Sequence, residues 1–267
     1  MALVGDGLKG WWKMDETGGD REPFFAGATF QDILSQNPGS IAGVIDNALN
    51  IPSSTWTKLQ IPYSIALANE LVIGNFSWTW NLWIYSYSNN DEGLVVPFSQ
   101  YRNQSNQRGL RIQLDNIDTG EFRATLSSDG VSEDGDYVLS NNRFGSASFN
   151  AWYMISVRHD ADNNEFWLSV NGGSHVSRSI PQVFPSLADV TIGSEENNNN
   201  NWFGRVDLVG FWKSFKTDAD LEFLYNGGSG QEPDAIGLFS DASDFDLGRP
   251  AIRNIGLDPA IRLIVGD

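Results

Sequence analysis

The sequence predicts an all-β protein: a two-sheet antiparallel jelly-roll sandwich with one short closing helix and an extended C-terminal tail. Three observations carry that expectation. Apolar and polar residues alternate with period two in segment after segment. Asn, Asp and Gly cluster between those segments as turn signals. Runs of the helix formers Ala, Leu, Glu and Lys are scarce. The chain has 267 residues, 40% hydrophobic and 12% aromatic, with 10 Trp and 16 Phe. That is enough apolar surface for one large β core.

The clearest strand is "FSWTWNLWIY". Phe76, Trp78, Trp80, Leu82 and Ile84 fall on one face, and Ser77, Thr79, Asn81, Trp83 and Tyr85 on the other. Further strands read at 109–115, 121–127, 152–160, 165–172, 189–194 and 203–214. "DADNN" (160–164) joins two of them as a hairpin, and "NGG" (171–173) begins another turn. Thr217 is placed as the N-cap of "DADLEFLYNGG", with Asp220 three residues on and Gly227 as its left-handed stop. From 231 to 267 the alternation ceases and Pro233, Pro250 and Pro259 interrupt the chain. Residues 1–230 therefore read as the sandwich and 231–267 as a tail. Apolar pegs recur in that tail, among them Phe239, Phe245, Ile252, Ile255 and Leu263. They suit packing on the sandwich itself or on a neighbouring chain.

Charge and composition remove several classes of function. The formal net charge is −17, from 34 acidic and 17 basic residues, with no Lys/Arg cluster. Nucleic acid and anionic membrane surfaces are repelled by that field. Without cysteine there is no disulfide, thiolate metal site or thiol nucleophile. The first residues lack the basic and apolar regions of a secretory signal, so export by the Sec route is not expected. The most apolar stretch, 71–87, is broken by Gly, Asn, Ser and Thr, and membrane insertion is not expected either.

Six segments, in order, resemble the laminin G-like or concanavalin A-like lectin-glucanase jelly-roll family, of the kind found in phage and bacterial surface proteins. "GLKGWWKMDE" resembles its first strand, and "GVIDNALNI" its Gly-to-"NAL" segment. "NFSWTWNLWIY" resembles its Phe-Thr-x-Ser-x-Trp-Val strand, and "WYMISVRHD" its Trp strand ending in Asp. "FWLSVNG" is similar to its Val-Asn-Gly hairpin, and "VTIGS" with "FGRVDLVGFWKSFKTDADLEFLY" to its closing strand and helix. The resemblance covers 7–228. Where many relatives carry an Asp-x-Ser-Gly-Asn loop that helps to build a calcium site, this chain has "TGGDREPFFAGATF".

Three kinds of site were sought. For structural calcium, the resemblance puts Asp15 and Glu16 on the first strand near Asp207 on the last; calcium needs several oxygens converging at about 2.5 Å. For catalysis, the laminarinase-like Glu-x-Asp-x-x-Glu motif is absent, Glu121 and Glu165 sit at strand starts, and no Gly-x-Ser-x-Gly elbow accompanies His159 and His175. No catalytic residue is assigned and no enzyme is expected. For glycans, aromatics beside amides suit sugars, which present apolar faces and hydroxyls together. Trp83, Tyr85 and Tyr87 share a strand face with Asn81, Trp202 and Asn201 adjoin the run "NNNNN" (197–201), and Trp56 lies in a loop. For the Trp83 face, burial under long loops is the favoured reading, because jelly-roll faces are often covered. The Asn run reads as a compact polar hairpin tip, with Trp202 either tucked beneath it or standing out.

These features point first to a non-enzymatic structural virion protein. It would be a capsid decoration or cement, or a fibre component, with the tail docking on other copies of itself or on capsid proteins. The alternative is a lectin-like module recognising cell-surface glycans.

Overall fold

We describe a computed structural model of the chain, covering residues 5–32, 38–52, 57–87, 94–115, 121–131, 136–140, 147–173 and 175–233. The first strands are β1 (Leu8–Trp12), β2 (Gln31–Asp32), β3 (Gly39–Ala42), β4 (Asn47–Ile51) and β5 (Leu59–Ile61), followed by the short helix α1 (Tyr63–Ala68). The middle holds β6 (Trp78–Ser86), β7 (Leu94–Arg102), β8 (Gln107–Asp115), β9 (Phe122–Ser127) and β10 (Asp136–Ser140). The last run is β11 (Trp152–Asp160), β12 (Glu165–Val170), β13 (His175–Ser179), β14 (Val190–Ile192), β15 (Gly204–Trp212) and helix α2 (Asp218–Tyr225).

These strands form the expected two-sheet antiparallel sandwich. One sheet runs β13-β12-β11-β6-β15-β4-β3, with β1 also paired to β15, and the other runs β10-β9-β8-β7-β14-β5-β2. β15 organises the first sheet. Along one flank it pairs with β6; along the other, 204–206 pair with β4 and 209–212 with β1. A bulge between Asp207 and Gly210 separates the two halves, and Leu208 there takes a left-handed φ of 45°.

The period-two pattern of β6 sorts its side chains as the sequence predicts. Trp78, Trp80, Leu82 and Ile84 lie in the core between the sheets. Trp80 is the hub. Its ring lies 4.4 Å from Phe211 of its own sheet, 4.6 Å from Phe98 of the opposite sheet, and stacks on Trp12 at 6.4 Å. A second, smaller core lies on the outside of the first sheet. There α2 presses Leu221 and Leu224 onto Trp83, Met154 and Leu208.

The capping box at α2 forms as the sequence predicts: the Thr217 hydroxyl accepts from the Asp220 N–H, and the Asp220 carboxylate accepts from the Thr217 N–H. The left-handed stop begins one residue earlier than expected, at Asn226 (φ 47°). Arg158 pins the start of the helix to the sheet by donating to Asp218 Oδ1, Ser169 Oγ and the Lys216 carbonyl.

The structure departs from the sequence reading in several places, among them the short strands β2, β5, β10 and β13, which were not read. Helix α1 was not expected; it has no side-chain cap and only Ala66 buried. Strand β7 was not read because Pro97 interrupts its pattern; the proline sits where the pairing with β8 shifts register between Val95 and Phe98, a bulge that tolerates it. The Asn run is not a hairpin tip. β14 and β15 belong to different sheets, so 193–203 is a crossover between them. Beyond α2, Gln231 donates to the Leu224 carbonyl, Glu232 pairs with Lys13 at 2.6 Å and Pro233 is buried. Among the described residues no helix is long and apolar enough to cross a membrane.

Two substitutions test this account. Trp80→Ala should cost about 3–5 kcal/mol in urea unfolding, since it empties a site that both sheets fill. Thr217→Ala should cost only about 1 kcal/mol, the usual loss for a helix cap. Equal losses would contradict the ranking.

Candidate functional site

The first sheet presents two outer regions. One is covered by α2, where Trp83 stacks against Tyr225 at 5.6 Å with an 11° interplanar angle. The other lies toward the chain end of β6 and stays half-buried. Strand register builds it. Trp152 of β11 is opposite Tyr85 of β6, Tyr85 is opposite Arg205 of β15, and Arg205 is opposite Asn50 of β4. Neighbouring strands lie ~4.8 Å apart, so this row crosses about 14 Å of sheet.

The side chains of the row touch. The Tyr85 and Trp152 rings are 5.4 Å apart and tilted by 59°. Tyr87, just past the end of β6, meets Tyr85 edge-on at 5.7 Å. The Arg205 guanidinium lies 4.3 Å from the Tyr85 centroid and 5.5 Å from that of Tyr87. Arg205 Nε donates to the Tyr87 hydroxyl at 3.1 Å, and that hydroxyl donates to Asn50 Oδ1 at 2.5 Å. Arg205 Nη1 donates to the Ala42 carbonyl at 3.0 Å. The result is a platform of three aromatics, a guanidinium and an amide, held by its own hydrogen bonds. Among the described residues seven tryptophans are buried, so Trp152 and Trp167 are the ones that retain accessible surface.

Of the aromatics expected to bind ligand, Tyr85 and Tyr87 lie in this platform. Trp202 is fully buried in the main core, and Trp83 is buried beneath α2. A ring without accessible surface has no face for a sugar, so both expectations are corrected. Asn201 is likewise buried. The asparagines around it serve the crossover. Asn198 and Asn200 adopt left-handed φ of 62° and 55°, which Asn tolerates. The Asn200 carbonyl accepts from the Val96 N–H, and its amide donates to Glu195, which also pairs with Arg111. Trp56 and the tail residues Phe239, Phe245, Ile252, Ile255 and Leu263 lie outside the described residues. Trp152 and Arg205 were missed by the sequence reading. The Trp that opens "WYMISVRHD" was a signal for the first, but only strand pairing shows what it faces.

The three carboxylates expected to hold calcium are each occupied by backbone donors. Asp15 accepts from the Asn47 N–H at 3.0 Å, and Glu16 accepts from the Glu22 N–H at 2.8 Å and lies beside Arg21. Asp207, with no accessible surface, accepts from the Val44, Ile45 and Leu208 N–H groups. Among the described residues no three His, Asp or Glu side chains converge on one point. What Asp207 does hold is the turn between β3 and β4 and the bulge of β15. Burial pushes its carboxyl up to about 7, against the three N–H donors that favour the charged form. Burial likewise raises Asp15, its neighbour.

Both histidines have structural partners. His159 is buried, with Nδ1 2.8 Å from the Phe76 carbonyl, and burial lowers its pKa. His175 lies 3.0 Å from Asp218 and packs on Trp167 at 4.0 Å.

This is the architecture of a lectin-like jelly roll, and the chain belongs to the concanavalin A-like lectin/glucanases superfamily, whose laminin G-type model matches residues 62–222. Strands before residue 62 complete both sheets. No curated protein matches the chain. Among solved structures it is similar to the binding domain of Paraclostridial Mosquitocidal Protein 1, at 16% identity and a TM-score of 0.57, covering 84% of this chain and 53% of that one. The chain thus spans about half the length of the toxin binding domain. It is also similar to Domain 4 of AbnA, a GH43 extracellular arabinanase from Geobacillus stearothermophilus, solved with arabinotriose. There the identity is 14% and the TM-score 0.55, over 84% of this chain and 98% of that one. A third is Trypanosoma rangeli sialidase, at 11% identity and TM-score 0.59, over 85% of this chain and 34% of that one. At these identities the likeness is one of fold.

Asp207 supplies a pH test. A carboxyl whose folded pKa exceeds its unfolded value keeps a proton in the native chain that the unfolded chain has already released. Its contribution to stability is full below about pH 4 and falls as pH rises toward about 7. Relative to Asp207→Asn, the wild type should therefore lose up to roughly 1.4 kcal/mol per pH unit across that window and level off above it. Urea unfolding at intervals from pH 4 to 8 checks this. A gap independent of pH would contradict it.

Proposed function

We propose that this protein is a non-enzymatic, lectin-like module that binds glycans, and that the Trp152–Tyr85–Arg205–Asn50 row with Tyr87 is the binding surface. The observation that carries the reading is the row itself. Half-buried aromatic rings stand beside hydrogen-bonding groups on a rigid sheet, and sugars offer the complementary mixture of C–H faces and hydroxyls. The site is preorganised: Tyr87, Arg205 and Asn50 are linked to one another before any ligand arrives. The arabinanase domain solved with arabinotriose, which this chain covers almost completely, supports the reading by its fold.

The non-catalytic part of the proposal rests on how the acid–base candidates are used. Asp207 caps backbone, His159 lies against the Phe76 carbonyl, and His175 lies against Asp218 at the start of α2. A role in a virion depends on the tail, whose apolar pegs lie outside the described residues, whereas the platform is complete without them.

A glycan array followed by calorimetric titration of each hit tests the proposal. Trp152→Ala and Tyr85→Ala should each weaken binding at least tenfold, the scale of losing one stacked ring. Trp167→Ala, which removes a half-buried ring away from the row, should leave affinity unchanged. Binding that survives both row substitutions would place the site elsewhere, and silence across the array would remove the reading.

A further inference from the structure

The platform carries an uncompensated positive charge. Arg21, Arg102, Arg111, Arg123 and Arg158 each lie beside a carboxylate. Among the described residues Arg205 does not: its partners are the Tyr87 hydroxyl and the Ala42 carbonyl, both neutral. The chain carries a net charge of −17 with twice as many acids as bases, yet the partners of this arginine are neutral. A guanidinium offers five N–H donors. Nε–H and one Nη1–H are engaged, and among the described residues the Nη2 pair has no acceptor. Two tyrosine rings flank the group and hold its plane. The acid nearest along β15 is Asp207, and its oxygens are turned to the Val44, Ile45 and Leu208 N–H groups.

We infer that the platform selects carboxylated sugars, of the uronic or sialic acid type, with Arg205 as the group that pairs with the sugar carboxylate. The inference rests on the platform being the glycan site. Its physical basis is that a planar guanidinium matches a carboxylate with two parallel hydrogen bonds, stronger than those a neutral hydroxyl would make. The neutral partners of Arg205 fix its position without satisfying its charge, which is the arrangement that leaves a charge for a ligand. The overall negative field does not override a contact pair, because at physiological salt charges beyond about 8 Å are largely screened.

The experiment compares each acid with its own methyl ester, which keeps the sugar and removes the charge. Oligogalacturonate and sialyllactose, each as acid and as ester, are titrated into the full chain at physiological salt. At least one acid should bind about tenfold tighter than its ester. Arg205→Gln should bring acid and ester to the same affinity while retaining the aromatic contribution. Equal binding of acid and ester by the wild type overturns this inference and leaves the glycan platform standing. So does tighter binding of the ester. Failure of both sugars in both forms, together with silence on a neutral-glycan array, removes the platform reading itself. The comparison needs no variant, so it holds even if Arg205→Gln loosens the Ala42 turn.

Discussion

The burial of Trp80 between the two sheets is the constraint from which the surface chemistry follows. A strand alternates its side chains, so fixing one residue inward fixes every second neighbour on each face. With Trp80 packed among Trp12, Phe98 and Phe211, Trp83 and Tyr85 have no choice but to point out. A slip of one residue would bring Trp83 and Tyr85 into the core and drive Trp78 and Trp80 into solvent. The aromatic platform is therefore not an addition to the fold. It is the obligatory reverse side of the core strand.

What divides that outer face into a covered and an open region is the closing helix. α2 is short, and its docking depends on a few contacts: the Thr217 cap, the Arg158–Asp218 pair and the ring of Tyr225 on Trp83. These seat it over Trp83, Met154 and Leu208 and leave Trp152, Tyr85 and Arg205 half-buried. The bulge in β15 contributes from the other side. By exchanging β4 for β1 as its partner, β15 places Asn50 beside Arg205 in the first half and lets the N-terminal strand close the sheet in the second. Asp207 sits at that exchange and ties the β3–β4 turn to it through two N–H groups.

Periodicity made the fold legible, because burial in a sandwich writes itself into sequence at period two. The inward face of β6, the hairpin at 160–164 and the Thr217 cap depend on neighbours within about ten residues, and all three were readable. What failed depends on distant pairing. β7 hid behind Pro97, whose bulge is defined only against β8. The Asn run looked like a hairpin tip because its flanking strands are adjacent in sequence, yet they belong to opposite sheets. The platform failed for the same reason. Trp152, Tyr85, Arg205 and Asn50 are contributed by four strands, and nothing local to any of them states that they form one row.

The conspicuous tryptophans of the sequence are mostly core fillers. Tryptophan is the largest apolar side chain, and among the described residues four fill the space between the sheets while three more pack in the outer core beneath α2 and beside β1. Trp202, beside a run of asparagines, suits either burial or exposure as far as its sequence neighbours go. Its position is set instead by the crossover, where its N–H donates to the Gly193 carbonyl and the chain turns inward to begin β15. Tyrosine differs in carrying a hydroxyl that must find water or a partner. Tyr87 meets that need with Asn50 and Arg205 just past the end of β6, and in doing so assembles a part of this face where aromatic rings and hydrogen-bonding groups coincide.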